Sequence, residues 1–167
     1  MPLHLEPLST DHVSHVMTWV NDREVMQYFA TRQTEISEAE EQAYIERLVA
    51  SPNDRAYSVF DDEVYVGQVS LNQIYWPAKN ARLFVVIRKN LQGRGYGTSA
   101  VAKALEMAFG ELGLRKVWLI VRKDNRHAQA MYLRLGFDFE GVLRDEYAVG
   151  GVYYDMVRMA KLAPPVV

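Results

Sequence analysis

Cysteine is absent from all 167 residues of the chain. That excludes disulfides, thiolate metal sites and a cysteine nucleophile, and it fits a reducing cytosol. An excess of one charge is missing as well: 19 Lys and Arg stand against 21 Asp and Glu, a formal net charge of −2. Such a balance gives no electrostatic case for nucleic acid or an anionic membrane as partner. No apolar run approaches the roughly 18 residues of a membrane span. The start, "MPLHLEPLST", lacks the basic flank and apolar core of a signal peptide. Internal repeats, low-complexity tracts and Pro/Gly/Ser-rich linkers are also missing. The expectation is one domain over residues 1–167 of a soluble, cytoplasmic protein. The residues present, 49% apolar and 24% charged, are ordinary for a chain that buries a sizeable core.

Periodicity organises the chain into short elements. "LHLEPL" alternates as a strand, and Ser9 or Thr10 caps a helix with the stripe Val13, Val16, Met17 and Val20. After a loop around "NDREVMQYF", Ser37 and Glu40 form a capping-box pattern that opens a second helix ending near Ala50. "AYSVF" and "VYVGQVSLNQIY" flank "DDE" as a β-hairpin, and a shift of apolar parity at Gly67 signals a bulge. "ARLFVVI" and "KVWLIV" are continuously apolar, as in strands covered on both faces. A helix from about Thr98 to Leu112, with Val101, Ala104, Leu105, Ala108 and Phe109 on one face, joins them into a βαβ unit. A further helix, Asn125 to Leu135, stops at Gly136, and a final hairpin turns at Gly150 and Gly151. Hairpins plus a single parallel crossover make an α+β fold with a mixed, mostly antiparallel sheet, flanked by about four helices.

"LQGRGYGTSA" places three glycines, Gly93, Gly95 and Gly97, between the run ending at Ile87 and the helix from Thr98. A Walker A loop fails for want of its lysine. A dinucleotide fingerprint fails because Thr98 stands at the third glycine and no acidic residue ends a second strand at the required distance. Two readings stay open on the residues alone. The loop is a tight strand-to-helix turn, or it is a pyrophosphate cradle in which backbone N–H groups and the positive helix end face one anion.

A second motif weighs on that choice. "QGRGYG" supplies Gln92, Gly95 and Gly97 of the pattern Q/R-x-x-G-x-G/A, and "NRHAQAMYLRLGF" gives N-x-x-A-x-x-x-Y-x-x-x-G-F through Asn125, Ala128, Tyr132, Gly136 and Phe137. Together, in this order and on these elements, they resemble the GNAT N-acetyltransferase superfamily from about Leu3 to Leu162. "WVNDREVMQYF" and "EGVLRDEYAVGGVYYDMVRM" look most like the branch with ribosomal-protein N-terminal, spermidine and amino-sugar acetyltransferases.

The resemblance implies an enzyme that moves acetyl from acetyl-CoA to a primary amine in a ternary complex, without a metal. Val85, Val86 and Ile87 would pair with the pantetheine arm. Gln92, Gly93, Arg94, Gly95, Tyr96, Gly97 and Thr98 would hold the pyrophosphate, and Asn125 the pantetheine side. Tyr132 would protonate the departing thiolate. A phenol near pKa 10 still carries its proton where a thiol near 8.5 is being formed. By periodicity alone Tyr132 reads as a core aromatic on the stripe of Ala128 and Leu135, and the motif is what favours catalysis. The branch is often dimeric, which leaves a homodimer open.

One departure stands out. Many GNAT enzymes carry a glutamate base on the strand before the loop or on the next strand, where this chain has Ala81-Arg82 and "LIV", Leu119 to Val121. The base is therefore unassigned, and a CoA-binding module without catalysis is the alternative. Asp22, Glu24, Asp145 and Glu146 lie in segments that border the acceptor site in this family. His12 and His15, one turn apart before Trp19, read as a solvated helix face, with an amine pocket as the alternative, and are too few for a metal site. Arg88, Lys89, Arg94 and Arg126 flank the expected phosphate site.

Overall fold

Hairpin chemistry dictates most of the sheet. The computed structural model describes residues 3–29 and 34–165. Strands β1 (Leu3–Pro7), β2 (Arg55–Asp61), β3 (Val64–Tyr75), β4 (Asn80–Ile87), β5 (Lys116–Arg122), β6 (Asp138–Val149) and β7 (Val152–Leu162) form one sheet in the order β1-β2-β3-β4-β5-β7-β6. Every neighbouring pair is antiparallel except β4–β5. The β6–β7 turn uses Gly150 and Gly151 at φ 57° and 78°, the left-handed pair that a tight two-residue hairpin needs.

The bulge expected at Gly67 is present. Val59 pairs with Gly67 and Phe60 with Tyr65, which leaves Val66 as the extra residue of β3. At Gly67 the backbone of β4 passes so close that an added Cβ would fall on the Val86 carbonyl oxygen.

Helices α1 (Val13–Val16) and α2 (Glu38–Ala50) cover one face, and α3 (Tyr96–Glu106) and α4 (Arg126–Arg134) the other. The α3/α4 core holds Ala81, Leu83, Val101, Leu105, Leu119 and Phe137; the α1/α2 core holds Val16, Trp19, Ile45, Phe60 and Val86. Ser37 caps α2 as expected, its hydroxyl accepting from the Glu40 N–H at 3.1 Å.

Three expectations need correction. The first helix is only one turn long, preceded by a 3₁₀ turn at Thr10–His12. The Thr18 hydroxyl donates to the His15 carbonyl at 2.6 Å, and local side-chain bonds of this kind compete with helix continuation. The third helix starts at Tyr96, two residues early, and ends in a π segment, Met107–Glu111. Strand β5 is covered on one face only: Val117, Leu119 and Val121 are buried, while the alternate residues are half-buried. Its other face carries guanidinium groups, with Arg158 4.0 Å and Arg82 5.7 Å from the Trp118 ring centre.

Candidate active site

The sheet comes apart at the parallel pair β4–β5. Pairing covers Asn80, Ala81 and Arg82 against Lys116, Val117 and Trp118, and then stops. β4 stays with β3 up to Ile87, and β5 stays with β7 up to Arg122. The two half-sheets therefore splay, and β4 beyond Arg82 has no strand on its β5 side. The gap is a cleft of about 420 Å³ lined by Leu83 to Ile87 on one wall and Leu119 to Arg122 on the other.

One end of this cleft is the glycine loop. Gly93 and Gly95 have φ of 76° and 85°, values that favour glycine. Gly95 is the N-cap of α3 and supplies no side-chain cap, so the first N–H groups of the helix lack the usual local acceptor. Gly97 differs: it lies inside the first turn, where an added Cβ would only touch Met131 and Ile87. The Gln92 amide donates to the Ile87 carbonyl at 3.0 Å, and the Tyr96 hydroxyl donates to Asp61 at 2.6 Å. Both bonds pin the loop to the sheet.

The other end is α4, and its motif spacing has a local cause. The Asn125 side chain caps the helix by accepting from the Ala128 N–H at 3.3 Å, the N-x-x-A part of the pattern. At the C-terminus, Phe137 N–H donates to the Tyr132 carbonyl and Gly136 N–H to the Leu133 carbonyl, both at 3.0 Å. With Gly136 at φ 92°, this is a Schellman motif, and its usual apolar contact is the edge-to-face pair of Tyr132 and Phe137 at 5.4 Å. Y-x-x-x-G-F is thus the cap that fixes the Tyr132 ring. The residue is 8% exposed, and burial pushes its phenol above the ordinary value. Tyr132 lines the cleft.

Of the sequence candidates, Val85, Val86, Ile87, Gln92, Gly93, Gly95, Tyr96, Gly97, Thr98, Asn125 and Tyr132 all line this cleft. Arg94 is exposed and outside it. Arg88 reaches the Tyr65 carbonyl at 3.4 Å, and Lys89 is paired with Glu24 at 2.9 Å.

A second cavity, about 970 Å³, lies between α2 and the sheet. It meets the cleft at Phe29, Arg82, Phe84 and Tyr147, which line both. Its carboxylates are Glu40, Glu41 and Asp54. Asp54 accepts from Ser51, from the Asn72 amide and from the Gln73 N–H. Glu41 is 6% exposed, and burial pushes its carboxyl up. Sequence reasoning missed Glu41, because a glutamate on an acidic helix gives no sign of facing inward. Asp145 and Glu146 line neither cavity: they sit in a β6 bulge whose Asp145 N–H is held by Asp155 at 2.9 Å. Asp22 caps the following turn through the Glu24 and Val25 N–H groups.

His127 lines the cleft, whereas His12 and His15 line neither cavity. His12 Nδ1 is 2.9 Å from the Ser58 hydroxyl, and His15 stacks on Tyr65 at 4.5 Å. Burial, then His12, hold His15 below the usual imidazole value. Among the described residues no group of three His, Cys, Asp or Glu could hold a metal ion, and no helix is long and apolar enough to cross a membrane.

Comparison with known proteins is consistent with this geometry. The family described as acetyltransferase (GNAT) domain matches residues 3–138. Spermidine N(1)-acetyltransferase of Escherichia coli K12 is 30% identical over 155 residues, 93% of this chain and 83% of the relative. Its counterpart from Vibrio cholerae is 28% identical over 158 residues, 94% and 91% of the two chains. The crystal structure of the Vibrio cholerae spermidine N-acetyltransferase with CoA and spermine superposes with a TM-score of 0.90 at 28% identity, covering 96% of this chain and 95% of the other.

Proposed function

The chain belongs to the GNAT acetyltransferase family, and on that premise we propose the following division of labour for acetyl transfer from acetyl-CoA to a primary amine. The observation that carries it is the splayed β4–β5 cleft, which runs from an uncapped helix N-terminus to a buried tyrosine and opens sideways into a second cavity. The free edge of Val85 to Ile87 binds the pantetheine arm as an added strand would bind. Backbone N–H groups from Gly93 to Thr98 take the pyrophosphate at the start of α3. The acceptor enters through the second cavity.

Its amine nitrogen then attacks the thioester carbonyl carbon. The C–N bond forms, the C–S bond breaks, and Tyr132 gives its proton to the leaving sulfur. The raised phenol pKa keeps that proton in place at neutral pH. The amine's surplus proton leaves to water, because Arg82 and Ile120 occupy the strand positions where a base would stand. The deciding assay follows free thiol with acetyl-CoA and a panel of amines. Release that depends on an amine is expected; CoA binding without release by any amine would leave a binding module instead.

Gly95→Val places a branched side chain at φ 85° beside the helix N-terminus. Acetyl-CoA affinity by calorimetry is expected to fall at least about tenfold with the fold intact. An unchanged affinity would remove the cradle.

The pH profile tests the missing base. An alkyl amine has a pKa of about 10.4 and an α-amine about 8. Since Tyr132 is pushed up, not down, it stays protonated on the alkaline side and causes no fall there. kcat/KM is therefore expected to climb from about pH 6 toward the acceptor's own pKa. A plateau by about pH 7 that Glu41→Gln abolishes would make Glu41 the base.

A further inference from the structure

Among the described residues, Arg82 is the one side chain at the junction of the two cavities that carries a charge. Besides Arg82, the described residues that line both are Phe29, Phe84 and Tyr147, none of them acidic or basic side chains of the Asp, Glu, His, Lys or Arg kind. The guanidinium is fixed on two sides. It donates to the Tyr147 hydroxyl at 3.0 Å and lies 5.7 Å from the Trp118 ring centre. Among the described residues it has no carboxylate partner. Two neighbouring arginines differ: Arg122, also on the cleft wall, is paired with Asp124 at 2.7 Å, and Arg158, on the same Trp118 ring, bonds Glu140 at 3.1 Å. A half-buried guanidinium with no anion of its own, held by an aromatic face and a phenol, is a recognition group that awaits an acid.

Position makes this informative. Arg82 is the last β4 residue paired with β5, so it stands where the cleft begins and where acceptor and thioester must meet. An ammonium arriving there faces a like charge, which disfavours it and favours the neutral amine. A carboxylate arriving there gains a charge-assisted hydrogen bond. Acidic groups line both cavities but, among the described residues, not their junction: in the cleft Glu24 is paired with Lys89 at 2.9 Å. Asp54 is fully engaged by Ser51, Asn72 and Gln73, while Glu40 and Glu41 project from α2 and do not line the cleft.

We infer that the acceptor is a primary amine bearing a carboxylate on the neighbouring carbon, an α-amino acid, with Arg82 as the specificity-determining residue. This rests on the acetyltransferase reading and narrows its substrate. The carboxylate binds Arg82, which sets the α-amine at the thioester. The low intrinsic pKa of α-amines, about 8, suits a site without a strand carboxylate. Tyr147 positions the guanidinium, and the Glu41 side of the cavity receives a second cationic end where the acceptor has one.

Two pairs of compounds that differ only by that carboxylate test the inference: ornithine against putrescine, and lysine against cadaverine, with spermidine alongside. Thiol release is expected to be at least tenfold greater in kcat/KM for each amino acid, with acetylation at its α-nitrogen by mass spectrometry. In Arg82→Gln the preference should collapse through KM for the amino acid and a rise in the diamine rate. Arg82→Lys should restore part of it, and Tyr147→Phe should weaken it less than Arg82→Gln does. Thermal melting checks each variant's fold, and the wild-type ratios decide the matter even if a variant fails. Equal or greater rates with putrescine, cadaverine or spermidine would overturn the inference and leave the acetyltransferase standing. Thiol release with none of these amines would overturn both.

Discussion

Tyr132→Phe is expected to lower kcat by about 10² to 10⁴, the range for loss of a general acid, with acetyl-CoA affinity little changed. The substitution removes one oxygen and keeps the ring, so the edge-to-face contact with Phe137 and the helix cap survive. Burial holds the phenol protonated, so the proton is available throughout the neutral range. The departing thiolate would otherwise wait for a proton from solvent inside a cleft walled by Leu119, Val121 and Met156. Steady-state kinetics together with calorimetry separate the two roles a buried tyrosine can play. A phenylalanine variant with full kcat would make Tyr132 a packing residue. One that loses kcat and stability together would make the hydroxyl structural.

Gly67→Ala is expected to destabilise the protein by about 3 kcal/mol, lowering Tm by roughly 6–12 °C for a chain of this size. The new methyl group would collide with the Val86 carbonyl, with the Ile87 Cα also at 3.0 Å. These are backbone atoms in a paired ladder, where Gly67 opposes Ile87, and no flexible side-chain end is present to move aside. Relief requires β3 and β4 to separate. Since β4 is also the wall of the cleft, acetyl-CoA affinity should weaken with stability. Melting within about 2 °C of the parent protein would show that the strands separate at little cost.

The GNAT resemblance was legible because its motifs are local devices. Asn125 caps the turn it begins, Gly136 ends the helix that carries Tyr132, and Phe137 packs on that tyrosine five residues back. Gly95 opens α3, and Gly150 and Gly151 set the last hairpin. Each acts on residues within one or two turns, so spacing along the chain carries the information. The α+β class followed from the same turns, since hairpins and a single crossover restrict how the strands can be ordered.

Tertiary structure decided where the sheet opens and what faces the opening. "ARLFVVI" and "KVWLIV" look alike as sequences, yet pairing stops at Arg82 and Trp118 because each strand is held for the rest of its length by a different neighbour. The second cavity draws on segments around Trp19, Glu41, Asp54, Gln68 and Tyr147, which meet only when α2 lies across the sheet. Arg82 and Tyr147 are 65 residues apart, and nothing local to either announces their bond. Backbone conformation responds to near neighbours and was therefore readable in the sequence; pairing limits, inward-facing charges and cavity walls depend on contacts between distant segments, which only the folded chain brings together.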